Sequence, residues 1–323
     1  YEHHFKKSKL YKNILLKKNT KKTDFLDLKK APFLPTRIFK ELDLKSIKDS
    51  EVFKVIKSSG TSGSQSKIYL DKHNSQNQIK ILSKLFQDFF KITYRMPMII
   101  IDKVNEIKDR KSFSARGAGI LGFSVFGKDH FYALDDNNKL RTKELLKYLN
   151  KYSNKKILIF GLTNIIWESL LKFDNKKINL SNSFLIHGGG WKKLSDKNVN
   201  NEIFKKKLKK NFSIKNIHNY YGMVEQTGSI FFECEKGFFH TSIFSDILVK
   251  NKFFKDNDLK KKGIVQLISL LPTSYPGHNL ITEDEGAIYG VDSCDCNRTG
   301  KTFKIYGRLK KSEIRGCSDS NDL

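Results

Sequence analysis

No apolar run in the chain reaches the ~18 residues that a membrane-crossing helix needs. The longest candidate, MPMIII at 96–101, has the length of a strand. The opening residues, YEHHFKKSKLYK, are polar and hold no apolar segment of a signal peptide. The expected compartment is therefore the cytoplasm, with no transmembrane segment; the first residue is Tyr1 rather than Met, which leaves the true start open. Arginine is scarce, at eight of the 61 basic residues. Sequence-specific DNA readers favour Arg, whose planar fork grips guanine at two points. The net charge of +27 is carried by lysines spread along the whole length, so it reads as a compositional bias toward solvated Lys faces. No specific nucleic-acid partner is expected, although weak attraction to anionic surfaces or acidic partners follows. Cysteines number four, Cys234, Cys294, Cys296 and Cys317. Without a secretory signal, metal or thiol chemistry is the better expectation for them than disulfides. Internal repeats and long linkers are also missing.

What remains is a chain of 323 residues, 38% hydrophobic and 12% aromatic, long enough to bury a substantial core and too aromatic for a disordered chain. Residues 1–30 are Lys-rich and weakly patterned, and read as surface helix and loop ahead of a structured segment, APFLPTRIFKEL (31–42). Strands are expected over 50–59, 67–72, 95–102, 155–163 and 183–187, and from 215 into a loop. Helical spacing marks 75–92 through Ile79, Leu82, Leu85, Phe86 and Phe89, and also marks 142–152 and 201–212. Buried strands alternating with helices predict an α/β fold with largely parallel sheets. Past 263 the texture turns to short strands and turns.

The stretch SSGTSGSQSK, Ser58 to Lys67, holds five serines, two glycines and a threonine between two expected strands. Small residues let backbone approach a polyphosphate, whose oxygens then take N–H and hydroxyl donors. Lys67 adds charge. The Walker A pattern GxxxxGK[ST] is absent. Farther on, Cys234 and His240 lie six apart in CEKGFFH, and Cys294 and Cys296 form a C-x-C. Together they make a Cys₃His set, a common structural zinc complement; three buried cysteines and a hydrogen-bonded histidine are the alternative.

The loop resembles the phosphate loop of the adenylate-forming superfamily of acyl-CoA synthetases, aryl-CoA ligases and luciferases. YYGMVEQTG (220–228) is similar to that superfamily's Tyr-Gly-x-x-Glu motif. The resemblance implies that Tyr221 lies against adenine and that Glu225 holds Mg²⁺. An aromatic face suits a purine, and a hard oxygen ligand suits Mg²⁺. HGGGWKK (187–193) resembles the glycine loop that accommodates adenine, NLITEDEG (279–286) the region whose aspartate binds the ribose, and GRLKKSE (307–313) the hinge motif. The implied ATP-binding residues are Ser58, Ser59, Gly60, Thr61, Ser62, Gly63, Gly188, Gly189, Gly190, Tyr221, Gly222, Asp284 and Arg308. Some aryl-CoA-ligase relatives hold zinc at a cluster like Cys234, His240, Cys294 and Cys296.

Longer stretches, among them LPTRIFKELDLKSI, FGLTNIIWE, SLLPTSYPGHNLITEDEG and GRLKKSEIRGCSD, resemble one branch: the acyl-protein synthetases of the fatty acid reductase complex in bacterial bioluminescence operons, and their relatives elsewhere. The resemblance covers about 34–319. It implies an adenylation domain over 31–306 after the lead-in 1–30, and a short tail over 307–323. The superfamily's small C-terminal domain, with its carboxylate-binding lysine, is expected to be essentially absent, so Arg116 or Lys192 would assist the adenylation. The implied activity is ATP-dependent conversion of a fatty or other carboxylic acid to acyl-AMP, then transfer to a cysteine thiol. Cys317, in RGCSD, fits the family's acceptor near the C-terminus, with Arg315 close enough to favour thiolate. Glu225, Lys67 and Cys317 are the implied catalytic residues. ATP and Mg²⁺ are the implied cofactors, with zinc at the Cys₃His set, and an acyl-reductase or other acceptor protein is the implied partner. In one departure, CNR at 296–298 replaces the family's Cys-Gly-Arg, and Asn tolerates the left-handed backbone that Gly permits. Segments around Phe123, Phe160 and Trp167 are expected either to line the acyl pocket or to pack the core. The alternatives are an acyl- or aryl-CoA ligase and, from another class, a non-catalytic basic binding protein.

Overall fold

The computed structural model describes residues 1–58, 65–107, 112–171, 178–189, 191, 194 and 199–309. Ser59, Gly60, Thr61, Ser62, Gly63, Gly190, Lys192, Arg315 and Cys317 lie outside the described residues.

Two helices open the chain, α1 (Glu2–Lys7) and α2 (Lys9–Lys17), followed by β1 (Leu34–Pro35) and α3 (Ile38–Glu41). The Lys-rich lead-in is not all surface: Tyr11 and Leu15, four apart on one face of α2, are buried with Leu34, Phe39, Tyr275 and Leu280. β2 (Lys54–Lys57) and β3 (Lys67–Leu70) pair antiparallel on either side of the Ser/Gly stretch, the expected strand–loop–strand. α4 (Lys72–Phe90) starts at Asp71, whose side chain accepts from Asn74 N at 2.6 Å; such a cap is worth about 1 kcal/mol. Leu82, Leu85 and Phe86 face the core as the spacing requires, while Ile79 is exposed.

β4 (Met96–Ile100), β5 (Ser112–Ser114), α5 (Ala115–Ser124) and β6 (Gly127–Tyr132) come next. α5 is the Gly-rich segment, helical although each interior glycine costs about 1 kcal/mol against Ala. The packing around them does not demand glycine. A Cβ on Gly119 would lie 3.4 Å from the Tyr220 hydroxyl, and one on Gly122 would lie 3.4 Å from Leu82. Then follow α6 (Thr142–Lys151), β7 (Ile157–Leu162), α7 (Thr163–Ser169), β8 (Ser183–Gly188), α8 (Asn201–Phe212), β9 (Asn216–Tyr221), β10 (Phe231–Phe232), β11 (Phe239–His240), β12 (Ser245–Lys250), β13 (Gly263–Ser269), β14 (Asn279–Val291) and β15 (Lys301–Arg308).

The central sheet has the order β10-β9-β8-β7-β4-β6, parallel from β9 to β6 with β10 antiparallel at one edge. β4 and β7 are apolar runs and β8 is buried along its whole length, because helices cover both faces of the sheet. One face buries Phe123 and Phe160 with α4 and α5; the other buries Trp167 with Phe204 and Leu208 of α8. Phe123 and Phe160 stack at 4.5 Å between ring centroids. Trp167 therefore shares no pocket with them, and all three are core residues. A second sheet, β11-β15-β14-β13-β12, is antiparallel, and β1 joins β14 in parallel. The expected short strands past 263 are in fact long, with β14 running for 13 residues. β3-β2-β5 form a third, small sheet.

Candidate active site

Parallel α/β sheets present loops at the carboxyl ends of their strands, where ligands usually bind. β8 ends there in Gly188 and Gly189, and β9 in Tyr221. Gly188 pairs with Tyr220, and a Cβ on Gly188 would meet the Tyr220 ring and its backbone oxygen at 2.6 Å, so only glycine fits. Gly189 has φ +63°, a left-handed conformation that favours glycine. His187, one residue earlier, is buried beneath this turn, with Nδ1 3.0 Å from Thr163 Oγ1.

Tyr221 packs its ring near Phe231 and Phe239, and its hydroxyl donates to Asp284 Oδ2 at 2.7 Å. Asp284 and Arg308 face each other across β14 and β15, so the strand register delivers the guanidinium to the carboxylate. Arg308 Nε lies 3.3 Å from Asp284 Oδ1, and its Nη1 donates to Glu283 Oε2 at 2.6 Å. Burial raises the Asp284 carboxyl above its usual range, against the opposing effects of Arg308 and the Tyr221 hydroxyl. Burial likewise holds the Tyr221 phenol well above its ordinary value, so it remains a donor. The result is an aromatic ring beside a carboxylate and an exposed guanidinium.

Four residues past Tyr221, Glu225 sits in a short helical turn, Val224–Gln226. Its Oε1 accepts from Ser66 Oγ at 2.5 Å, across 159 residues of sequence. Ser66 also closes the base of the Ser/Gly stretch: Ser58 N donates to Ser66 O at 3.0 Å, and Ser66 N to Ser58 Oγ at 2.9 Å. Lys67 begins β3, exposed and without an ion pair among the described residues. The loop around Glu225 is anchored from behind. Gln226 Nε2 donates to Leu267 O and Gly277 O, the buried Tyr275 hydroxyl accepts from Thr227 N at 3.0 Å, and Gln78 donates to Thr227 Oγ1. A Cβ on Gly277 would lie 2.8 Å from Glu225 O.

The structure thus joins Ser58 and Ser66 to Glu225, and Tyr221 to Asp284 and Arg308. Ser66, Tyr275 and Gln226 were missed from sequence. TSYPG carried the signal for a rigid turn, but nothing local marks which distant loop it supports. Arg116 is occupied: it holds Asp102 through Nε at 2.7 Å and Nη2 at 2.5 Å, and lies 3.4 Å from Glu106. This ties α5 to the end of β4 and removes Arg116 as a free cation.

The Cys/His set does assemble. The ligand atoms of Cys234, His240, Cys294 and Cys296 lie within 4.8 Å of one another. Cys234 Sγ is 4.0 Å from Cys294 Sγ, and Cys296 Sγ is 3.3 Å from His240 Nε2. Asn297 adopts φ +61°, the left-handed turn expected where the family has Gly. Three sulfurs and one imidazole at this separation could hold a metal ion.

Among the described residues no helix is long and apolar enough to cross a membrane. In comparisons with known proteins, the chain is similar to the long-chain-fatty-acid–luciferin-component ligase of Vibrio harveyi, 24% identical over 306 residues, covering 90% of this chain and 77% of that protein. Its fold is similar to the open conformation of 2-hydroxyisobutyryl-CoA ligase in complex with 2-HIB-AMP and CoA, with TM-score 0.72, 12% identity, and coverage of 96% of this chain and 72% of that one. ATP-bound MatB from Rhodopseudomonas palustris also matches, with TM-score 0.52 and 14% identity, over 81% of this chain and 49% of that one. The family described as Acyl-protein synthetase, LuxE matches residues 1–322. Fold and family agree: the chain belongs to the LuxE acyl-protein synthetases and is an AMP-forming ligase that activates an acid with ATP and transfers the acyl group.

Proposed function

We propose that the acid is a long-chain fatty acid and that the acyl group passes from AMP to a cysteine thiol, from which an acyl-accepting protein such as a reductase takes it. In the first step a carboxylate oxygen attacks the α-phosphorus of ATP. A C–O–P bond forms, the α–β phosphoanhydride breaks, and pyrophosphate leaves. In the second step a thiolate attacks the acyl carbon, the C–S bond forms, and AMP leaves with the electron pair of the broken C–O bond.

The observation that carries the reading is the sharing of one loop by two constellations. Tyr221 meets Asp284 and Arg308 at one end of it, and Glu225 meets the base of the Ser/Gly stretch at the other. In this reading the Tyr221 ring flanks the purine, Asp284 accepts the ribose hydroxyl protons, and Arg308 balances Asp284 while reaching ribose or phosphate. Gly188, Gly189 and Gly222 shape the turns whose backbone would border the base. Small residues after Ser58 receive the phosphates, with Lys67 nearby. Glu225 would hold Mg²⁺, which when bound offsets the charge of the phosphates. Cys317 is the proposed thiol. The Cys₃His set would hold a structural zinc that staples the β10–β11 segment to the β14–β15 turn.

Acid-dependent exchange of labelled pyrophosphate into ATP tests the reading, with a panel of fatty acids. Glu225→Gln is expected to abolish exchange, and unchanged exchange would remove the assignment of Glu225. Labelling with fatty acid and ATP should leave a hydroxylamine-sensitive acyl group on the wild type and none on Cys317→Ser, which still makes acyl-AMP. A product that forms only with added CoA would instead identify a CoA ligase.

A further inference from the structure

Ser66 is fully buried, and its backbone N–H, backbone carbonyl and hydroxyl are all engaged. Two of these contacts close the base of the Ser/Gly stretch against Ser58. The third is the 2.5 Å bond from Oγ to Glu225 Oε1. A hydroxyl donating to a carboxylate at that distance is a charge-assisted hydrogen bond, among the stronger ones a side chain makes. Ser66 is the hydrogen-bond partner of that carboxylate among the described residues. Glu225 is held from the other side by its neighbours: Gln226 is clamped to Leu267 O and Gly277 O, and Gly277 leaves no room behind the Glu225 carbonyl. One lone pair of Oε1 is therefore taken, and Oε2 is the freer oxygen for a cation.

We propose that Ser66 is a positioning residue that makes Glu225 a one-oxygen ligand and thereby favours Mg²⁺ over Ca²⁺ as the ion accompanying ATP. The proposal rests on Glu225 as the metal ligand. Mg²⁺ is small, demands near-octahedral geometry, keeps several waters and takes a carboxylate through a single oxygen. Ca²⁺ is larger and readily accepts both oxygens of one carboxylate. With one lone pair of Oε1 committed to Ser66, two-oxygen ligation has to compete with that hydrogen bond and is disfavoured. The same hydroxyl links the cation ligand to Ser66 at the base of the Ser/Gly stretch.

The test is calorimetric titration of the full-length chain with ATP alone, ATP with Mg²⁺ and ATP with Ca²⁺, for the wild type and for Ser66→Ala, Ser66→Thr and Glu225→Gln. The expected wild-type order is Mg²⁺ tighter than Ca²⁺. Outer-shell partners of metal ligands are worth about 10–100-fold in metal affinity. Ser66→Ala should lose a factor of that order from the Mg²⁺-dependent gain, narrow the Mg²⁺/Ca²⁺ ratio and keep the affinity for ATP alone. Ser66→Thr, which retains the hydroxyl, should restore the ratio. A Ser66→Ala protein with the wild-type ratio, or one that loses affinity for ATP equally with and without ions, overturns the proposal. Should Ser66→Ala fail to fold, Ser66→Cys, nearly isosteric and a weak donor, must show the same narrowing. Glu225→Gln separates the two levels. If it keeps the Mg²⁺ dependence, Glu225 is not the ligand; if it loses that dependence while Ser66→Ala does not, only the role of Ser66 fails.

Discussion

The hydroxyl of Tyr221 donates to Asp284 at 2.7 Å, joining residues 63 positions apart. In that pairing the phenol occupies one oxygen of the carboxylate proposed to receive ribose. Asp284→Asn is expected to lower kcat/KM for ATP about 10–100-fold, the scale of about 1.5–3 kcal/mol for a hydrogen bond to a charged group. Arg308 opposes the upward shift that burial gives the Asp284 carboxyl. Arg308→Ala should therefore raise that carboxyl further and move the acid limb of ATP binding to higher pH. Affinity measured across the acid range checks the direction; a limb that stays put, or moves down, contradicts it.

Gly188 and Gly119 offer a matched pair. A Cβ on Gly188 would lie 2.6 Å from both the ring and the backbone oxygen of Tyr220. Neither strand of the β8–β9 pair can give way easily, so Gly188→Ala should cost about 1–3 kcal/mol and weaken ATP binding through the adjacent Tyr221. Gly119→Ala meets its nearest atom at 3.4 Å and sits mid-helix, where Ala gains about 1 kcal/mol over Gly. It should leave Tm equal or higher. Thermal unfolding of both variants decides the matter.

Part of the acid sensitivity should come from the contact of the N-terminal helices with His278, in addition to the buried His187 and His218 of the central sheet, which burial also lowers. His4 is buried, with Nδ1 2.7 Å from Ser46 Oγ and Nε2 3.1 Å from Pro272 O, and it stacks on His278 at 4.7 Å. Burial lowers His4 to about 3 and holds His278 well below the ordinary value. Between a usual value of ~6.5 and those depressed ones, the unfolded chain binds more protons than the folded one. The stability is thus complete above ~6.5 and falls as pH drops toward the folded values. Tm should decline between neutral pH and pH ~5, and His4→Gln should flatten that slope. Identical slopes would assign acid loss elsewhere.

Metal analysis of protein purified without a His-tag should find about one zinc per chain, the content of a single closed Cys₃His site. Cys294→Ser should lose it and lower Tm, because β11 and the β14–β15 turn would no longer be stapled. Zinc far below one equivalent in the wild type would leave the cluster as packed thiols.

Much of the candidate site was legible because its parts are local. The Ser/Gly stretch, the Tyr221–Glu225 block and the glycines after β8 each announce themselves within ten residues. The left-handed turn at Asn297 and the strand–loop–strand around the Ser/Gly stretch follow from local chemistry in the same way. What could not be read was pairing across distance. The Ser66–Glu225 bond, the Tyr275 support of Thr227 and the capture of Arg116 by Asp102 depend on which loops the topology brings together. Two other differences were local but misleading. The glycines of α5 speak against a helix that forms all the same, and the lysines of α2 hid Tyr11 and Leu15.

The contacts of the proposed nucleotide site join stretches far apart in the chain: Ser66 beside β3 meets Glu225 after β9, and Asp284 on β14 meets Arg308 on β15. Neither half of that arrangement is carried by one continuous segment. A fragment that ends before β15 would keep the Ser66–Glu225 bond and leave Asp284 without its guanidinium, so the two halves can be separated by truncation as well as by substitution.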